Sequence, residues 1–240
     1  MSDGKLGVLQ ARKGGVGKSW LCLQLANGMV ELYNKKVLIL TSDNQNNILA
    51  YAGINIEVKK GIEHWIECGK GDYIELRNNL YYIPLNSPLL PKESEHKFKA
   101  FIESLKKRFD YIFVDGTPLI DINTEFSNMA DFIIIPTFLD GVTSMSINDM
   151  MKKFGTSKVK AIIPNRAAPI SSTEVKYYDS LKNVLKKTNI LLTCPLKQSA
   201  IIGKLIDQGK TIYDSKSKKV DFIKREIEKV LEVIIWVRNQ

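Results

Sequence analysis

The chain has 240 residues, of which 44% are hydrophobic and 25% charged, and its formal net charge at pH 7 is +9. This composition is typical of a folded globular protein and excludes an intrinsically disordered chain, and the length allows one sizeable α/β domain rather than two complete cores. No apolar run approaches the roughly 18 residues of a membrane-spanning helix, so we expect no stable membrane insertion. The N-terminal residues lack a signal-peptide pattern, and three scattered cysteines suggest neither a disulfide framework nor a zinc site. We therefore expect a cytoplasmic protein.

Short runs rich in β-branched residues alternate along the chain with segments long enough to be helices. Most runs are apolar throughout, which is typical of parallel strands covered on both faces. Strands are predicted at residues 6–11, 37–41, 80–83, 111–114, 132–135, 159–163 and 190–193. Helices are predicted at residues 18–33, 94–108, 142–154 and 173–187, the last starting at a capping box of Ser171 and Glu174. This alternation predicts a doubly wound α/β fold, a mainly parallel sheet with helices on both faces, forming a single domain over residues 1–240.

The last segment, at about residues 217–238, has the spacing of an amphipathic helix. Its apolar stripe consists of Phe222, Ile223, Ile227, Val230, Leu231 and Ile234. We expect this C-terminal helix to pack on the sheet. A membrane-surface helix is the alternative that Trp236 keeps open, although the mixture of acidic and basic residues on the polar face weakens it.

The stretch ARKGGVGKSW, residues 11–20, follows the first predicted strand and opens the first predicted helix. In P-loop proteins the phosphate-binding loop lies between a strand and a helix in this way. Its backbone N–H groups surround the phosphate oxygens, and the N-terminus of the helix adds a favourable dipole. Lys18 would then bridge the β- and γ-phosphates of ATP, and the Ser19 hydroxyl would ligate Mg²⁺. The ordinary P-loop pattern has a glycine where Arg12 stands, and Lys13 is a second lysine that the pattern does not require.

Residues 13–19, KGGVGKS, resemble the deviant Walker A motif KGGxGK[ST] of the ParA/MinD class of P-loop ATPases. Residues 37–45, VLILTSDNQ, are similar to the strand of that class that ends in DxDPQ, and residues 109–118, FDYIFVDGTP, are similar to its Walker B strand. Later similarities lie in residues 132–136, 162–166 and 201–213. The resemblance spans about residues 5–215 and implies the P-loop NTPase fold.

The resemblance also implies a role for each matched residue. Asp115 would hold Mg²⁺ through water, and Asp43 would position the water that attacks the γ-phosphate. From the residues alone, a helix N-cap remains an alternative for Asp43. In this class the lysine that Lys13 matches reaches across a dimer interface to the partner's nucleotide, so ATP would join two subunits and hydrolysis would release them.

The implied site contains three overlapping groups of residues. The catalytic group is Lys13, Lys18, Asp43 and Asp115, and the metal group is Ser19 with Asp115. The nucleotide-binding group is Lys13, Gly14, Gly15, Val16, Gly17, Lys18, Ser19, Trp20, Asn165 and Arg166, with Asn165 expected near the adenine.

Three residues depart from the family pattern. Thr41 replaces the first aspartate of DxDPQ, Asn44 replaces its proline, and Trp20 stands where a threonine usually meets the α-phosphate. These departures concern the rate of hydrolysis more than ATP binding, and we expect hydrolysis to be slow without a partner.

The charge is distributed unevenly along the chain. Residues 1–150 contain 16 basic and 18 acidic side chains, a net charge of −2, whereas residues 151–240 contain 19 and 8, a net charge of +11. This asymmetry favours a surface that faces a polyanion, although a lysine-rich surface can also serve solubility alone. The candidate DNA contacts are Lys197, Lys204, Lys218, Lys219 and Arg225.

Motif and charge together favour a ParA-type ATPase that forms an ATP-sandwich homodimer and binds DNA nonspecifically. Such a protein would act in plasmid or chromosome partition at the nucleoid, with hydrolysis stimulated by a ParB-like centromere-binding protein. A MinD-like membrane-cycling positioning ATPase is one alternative, although the terminal apolar stripe is longer than the basic tail such an anchor uses. A nucleotide-dependent scaffold with little or no hydrolysis is another.

Overall fold

The computed structural model describes residues 4–87, 95–117, 121–167 and 171–238. Its strands are β1 (Lys5–Leu9), β2 (Val37–Thr41), β3 (Ile74–Arg77), β4 (Leu80–Ile83), β5 (Tyr111–Asp115), β6 (Phe132–Thr137), β7 (Val159–Pro164) and β8 (Leu191–Leu192). They form one sheet in the order β3-β4-β2-β5-β1-β6-β7-β8. Within the described ranges every pairing is parallel except the antiparallel pair of β3 and β4.

The helices cover both faces of this sheet, as the alternating pattern predicts. They are α1 (Lys18–Tyr33), α2 (Asn47–Tyr51), α3 (Ile62–Cys68), α4 (Glu95–Lys106), α5 (Asp121–Met129), α6 (Gly141–Phe154), α7 (Ser172–Leu185), α8 (Ala200–Asp207) and α9 (Asp221–Arg238). One buried apolar cluster joins the sheet to α1, α2, α8 and α9, and the other joins it to α3, α4, α5, α6 and α7. The expected α/β class and its two helical layers are therefore confirmed.

The C-terminal helix packs on the sheet beside α1. It starts later than expected, because Lys218–Val220 forms a 3-10 turn before α9. Five residues of the apolar stripe are buried, but Phe222 is 40% exposed, so its place in the buried stripe was wrong. The close contact of Gly28 with Leu231 lets α1 and α9 approach each other. Among the described residues, no helix has both the length and the apolarity needed to cross a membrane.

The remaining differences from the predicted elements lie at short or terminal segments. The first strand ends at Leu9 instead of residue 11, because the next residues already belong to the loop before α1. The short elements β3, α2, α3 and α5 have no long apolar periodicity and were not predicted. The Ser171 side chain accepts a hydrogen bond from Glu174 N, so it caps α7 as expected. Residue 94, the predicted start of the fourth helix, lies outside the described residues.

The parallel strands end at one edge of the sheet, and this edge carries the predicted site. Leu9 and Thr41 each pair with Asp115 across neighbouring strands. The loop after β1, the turn after β2 and the end of β5 therefore lie side by side. In open α/β sheets, ligands bind at this edge, beyond the carboxyl ends of the strands.

Candidate nucleotide-binding site

The loop between β1 and α1 has the backbone conformation that phosphate binding needs. Gly15 and Gly17 have φ angles of 75° and 85°, in the left-handed region that favours glycine. A Cβ on Gly17 would lie 2.3 Å from the Asn165 amide nitrogen, whereas one on Gly14 or Gly15 would meet nothing within 4 Å. Gly17 is therefore required by packing, and the other two glycines leave the loop open to a ligand.

The end of β7 holds this loop from the side. Asn165 Nδ2 donates a hydrogen bond to Val16 O at 2.9 Å, and Arg166 Nη1 donates one to Gly15 O at 3.3 Å. The Val16 side chain is fully buried, so only the backbone of this residue can contact a ligand. Asn165, which was expected near the adenine, thus uses an amide proton to position the loop.

A cavity of about 710 Å³ opens beside the loop. This volume is typical of pockets that bind small molecules and cofactors. The predicted nucleotide-binding residues that line it are Gly14, Gly15, Gly17, Lys18, Ser19, Trp20, Asn165 and Arg166, and Asp43 lines it as well. Lys13 and Val16 do not belong to its described lining.

Part of the cavity lining was not predicted from the sequence. It includes the apolar residues Leu196, Ile202, Ile206 and Ile223, together with Tyr51 and Thr117. These residues come from five separate segments, and the local patterns of the four helical ones, Tyr51, Ile202, Ile206 and Ile223, are those of ordinary amphipathic helices. Of these residues, only Thr117 could have been expected near the site from the sequence, because it follows the Walker B-like strand. Trp20, 7% exposed, contributes to both the core and the cavity wall, which accounts for a large side chain at that position.

The charged residues beside the loop influence one another strongly. Burial lowers the pKa of the Lys18 ammonium group, and the nearby carboxylates Asp115 and Asp43 raise it again in part. Burial raises the pKa of Asp115 to about 6, opposed by a hydrogen bond from Ser19 and by the charge of Lys18. Lys18, Ser19 and Asp115 are thus brought together as the resemblance implies.

The oxygen atoms of this group fit Mg²⁺. The Ser19 hydroxyl and the Asp115 carboxylate lie close enough to interact, and hard divalent cations prefer such oxygen ligands. No group of three or more His, Cys, Asp or Glu residues that could hold a metal ion occurs in the described part of the chain. Two protein ligands suit Mg²⁺ that is bound mainly through phosphates and water.

Asp43 lies in a turn that its own neighbours define. Its backbone N–H donates to Thr41 Oγ1 at 2.9 Å, and its Oδ1 accepts from Gln45 N at 3.0 Å. The next helix, α2, has Asn46 at its N-cap, so the N-cap alternative for Asp43 was wrong. Thr41 is buried and fixes this turn, which gives a structural reason for a threonine at the position of the family's first aspartate.

The two basic residues at the start of the loop turn away from the cavity. Lys13 Nζ lies 2.9 Å from Asp140 Oδ2 and 5.2 Å from the centre of the Phe138 ring. Arg12 Nη1 lies 2.8 Å from Asp149 Oδ2. Asp140 is the N-cap of α6 and Asp149 lies within it, so α6 holds both side chains.

Asp140 is an N-cap as well as an ion-pair partner. Partial burial opposes its ionisation, but hydrogen bonds from Thr143 and Lys13 outweigh this effect and lower the pKa of Asp140 to about 2. The carboxylate that faces Lys13 is therefore ionised at every pH above about 4.

The five candidate DNA contacts are all exposed and lie late in the chain. Lys204 is on α8, Lys218 and Lys219 are in the 3-10 turn, and Arg225 is on α9. Lys197 differs from them, because it lines the nucleotide cavity.

Comparisons with known proteins agree with this fold. A family model described as an AAA domain matches residues 4–164. An uncharacterized protein of Methanocaldococcus jannaschii is 26% identical, over 84% of this chain and 88% of its own.

Three solved structures share the fold. A complex of a Cyanothece McdA variant with ATP has a TM-score of 0.79 and 19% identity, covering 98% of this chain and 97% of its own. A putative plasmid partition protein of Borrelia burgdorferi bound to AMPPNP has a TM-score of 0.76 and 22% identity, covering 97% and 99%. The MinD cell division protein of Aquifex aeolicus has a TM-score of 0.74 and 17% identity, covering 97% of each chain.

Proposed function

This chain belongs to the AAA-domain family, with the deviant phosphate loop and the fold of the ParA/MinD class of P-loop ATPases, and on that premise we propose that it is a ParA-type partition ATPase. It would bind ATP with Mg²⁺ and dimerise around the nucleotide. The ATP-bound dimer would bind DNA without sequence preference. The observation that carries the proposal is the pair of lysines in one loop, with Lys18 lining the cavity and Lys13 directed to the outer surface at α6.

The residues around the cavity suit ATP hydrolysis. The loop N–H groups and Lys18 would bind the phosphates, and Asp43 would orient the attacking water. Ser19 and Asp115 would hold Mg²⁺, which supplies positive charge next to the triphosphate. Hydrolysis would be slow without a partner, because only one lysine of the loop faces its own cavity.

Lys13 would supply the missing charge in the dimer. To reach the nucleotide of a second copy it must leave Asp140, and an ion pair this exposed costs at most about 1 kcal/mol to break. Neutralising charge on a transferring phosphoryl group is the role that an arginine finger plays in other NTPases. ATP would therefore favour association of two subunits, and hydrolysis would favour their release.

The partition reading rests on charge and on likeness. The late segments that carry Lys204, Lys218, Lys219 and Arg225 are rich in exposed cations, and such surfaces bind the DNA backbone. The likeness to a protein described as a putative plasmid partition protein supports the same reading. A ParB-like partner that stimulates hydrolysis, and a nucleoid location, follow from this proposal.

A direct binding test separates partition from its main alternative. The purified protein is mixed with nonspecific duplex DNA or with anionic liposomes, in ATP, ADP or a nonhydrolysable ATP analogue. We expect binding to DNA in ATP or the analogue, with an affinity that falls steeply as salt rises. Binding to liposomes without binding to DNA would contradict the proposal.

A MinD-like membrane-cycling function is the second candidate. Trp236 is 72% exposed and Phe222 is 40% exposed on α9, and exposed aromatic residues of an amphipathic helix can insert into a lipid surface. The likeness to MinD supports it as well. A scaffold with little hydrolysis is the third, and it predicts nucleotide-dependent dimers with no measurable turnover.

A further inference from the structure

Glu226 is a buried carboxylate outside the site described above. It lies on α9, its residue is 4% exposed, and its Oε2 accepts a hydrogen bond from Cys194 N at 2.8 Å. Its Oε1 is paired with Lys229 Nζ at 2.6 Å. Burial of a carboxylate is costly unless it is paired and hydrogen-bonded, so these two contacts explain how Glu226 is tolerated there.

The Cys194 N–H belongs to a segment, Thr193–Leu196, that we call the wall loop. The wall loop runs beside the end of β7, where Thr193 N donates to Ile162 O at 3.1 Å and Leu196 N donates to Pro164 O at 2.8 Å. Glu226 fixes this loop from α9. Tyr178 fixes it from α7, because its hydroxyl donates to Thr193 O at 3.1 Å.

The wall loop leads directly to the nucleotide cavity. Leu196 lines the cavity and forms a bridge with Asn165, whose side chain holds the phosphate loop through Val16 O. Ile223, one helical turn before Glu226 on α9, lines the same cavity. Glu226 is therefore one hydrogen bond and two residues away from the cavity wall.

The wall loop contributes Leu196 to the apolar part of the cavity lining. Leu196, Trp20 and Ile223 belong to the same buried apolar cluster and all line the cavity, whereas the phosphate loop supplies glycines and Lys18. An apolar wall suits the flat base of a nucleotide, and the phosphate loop suits its phosphates. A displaced wall loop should therefore weaken contacts to the base more than contacts to the phosphates.

We propose that Glu226 is a positioning residue of the nucleotide cavity: by accepting the Cys194 N–H it sets the wall loop against β7, and it couples α9 to the binding of the base. This proposal rests on the proposed function in that the cavity takes ATP. It assigns to α9 a part in ligand binding in addition to its part in the core.

The test compares four variants with the wild type. Glu226→Ala removes the acceptor, and Glu226→Gln keeps a carbonyl oxygen for the Cys194 N–H but loses the charge. Tyr178→Phe removes the second anchor of the wall loop by deleting one hydroxyl. Glu232→Ala is the matched control, because Glu232 is an exposed glutamate on the same helix.

Isothermal titration calorimetry in the presence of Mg²⁺ measures the affinity of each variant for ATP and for inorganic tripolyphosphate. We expect Glu226→Ala to weaken ATP binding about tenfold or more, because the wall loop loses its hydrogen bond to a charged acceptor. Tripolyphosphate binding should weaken less than about threefold, since its contacts are to the phosphate loop. Glu226→Gln should restore most of the ATP affinity, Tyr178→Phe should lose a smaller part, and Glu232→Ala should match the wild type.

Equal losses for ATP and tripolyphosphate, or an unchanged ATP affinity in folded Glu226→Ala, would overturn the proposal. If Glu226→Ala does not fold, Glu226→Met replaces it, because methionine also lacks the acceptor for the Cys194 N–H but fills a similar volume, and the same outcomes decide. If the wild type binds neither ligand, the proposed function fails, and hydrogen exchange of the wall-loop amides then tests the positioning alone. Faster exchange in Glu226→Ala than in Glu232→Ala supports it, and equal exchange overturns it.

Discussion

Lys13 Nζ lies 2.9 Å from Asp140 Oδ2, so the second lysine of the phosphate-binding loop is paired with the N-cap residue of α6. Lys18, five residues later, lines the cavity instead. Both side chains of the pair are partly exposed, and exposed ion pairs are weak. In a single subunit Lys13 therefore lies at the surface in a weak ion pair, which it can leave at little cost in free energy.

Asp140→Asn should make ATP-dependent dimerisation easier. Asparagine keeps an oxygen that caps α6 at Thr143 but no longer attracts Lys13 by its charge. Because the pair contributes at most about 1 kcal/mol, we expect the dimer dissociation constant with an ATP analogue to fall about two- to fivefold. Sedimentation velocity measures it, with Asp179→Asn on α7 as the control for an exposed ion pair elsewhere. A weaker dimer in Asp140→Asn would contradict this role.

The pKa of Asp115 predicts how stability depends on pH. The folded-state value of about 6 lies above the usual 3.8, so the folded protein binds this proton more tightly than the unfolded chain. The resulting penalty is absent below about pH 4, develops as pH rises through 6, and reaches about 3 kcal/mol.

Asp115→Asn should remove this penalty in the nucleotide-free protein. We expect the variant to be more stable than the wild type at pH 7 by up to about 3 kcal/mol, a figure that already includes the attraction of the Asp115 carboxylate to Lys18. The difference should shrink as the pH falls below 6 and approach zero only below about pH 4. Urea unfolding at a series of pH values measures it, and a difference that grows towards low pH would refute the assignment.

The phosphate loop and its immediate neighbours could be predicted because their chemistry is local. A glycine-rich loop between a strand and a helix has few other uses, and the strand ends that carry Asp43 and Asp115 must meet at one edge of a parallel sheet. The long strands and helices were predictable for the same reason, since each has a clear apolar pattern.

The apolar wall of the cavity could not be predicted in this way. Ile202, Ile206 and Ile223 have the spacing of core residues, and only the tertiary packing of α8 and α9 directs them at the cavity. Glu226 has the sequence pattern of one more polar helix residue, yet it is buried. Lys13 and Asp140 are 127 positions apart in the chain, so their pairing cannot be predicted from a local sequence pattern.

Asp43→Asn should separate ATP binding from hydrolysis. Asparagine can still accept the Gln45 N–H that fixes the turn, but it cannot polarise water as a carboxylate does. We expect kcat for ATP to fall about 100-fold or more, with the dissociation constant for ATP changed only severalfold. Asp72→Asn is the control, because Asp72 also fixes a turn through backbone N–H groups but lies outside the described cavity lining. Unchanged kcat in Asp43→Asn would contradict the assignment.

Lys218→Ala combined with Lys219→Ala should weaken DNA binding in a salt-dependent way. Each phosphate contact that is lost should reduce the slope of log affinity against log salt by about 1, so we expect a reduction of about 2. Lys186→Ala with Lys187→Ala is the matched control, an exposed pair of lysines at the end of α7, on the other face of the sheet. Equal effects of the two double variants would mean that binding follows net charge and not this surface.

The central claim is that Lys13 serves the nucleotide of a second subunit, and sedimentation velocity of Lys13→Ala tests it most directly. The wild type and the variant are compared with a nonhydrolysable ATP analogue and Mg²⁺, and titration of the same samples measures analogue binding. We predict that the wild type forms dimers, whereas Lys13→Ala stays monomeric and still binds the analogue within a fewfold of the wild-type affinity. If Lys13→Ala forms dimers over the same range of protein concentration as the wild type, the proposed role of Lys13 is contradicted.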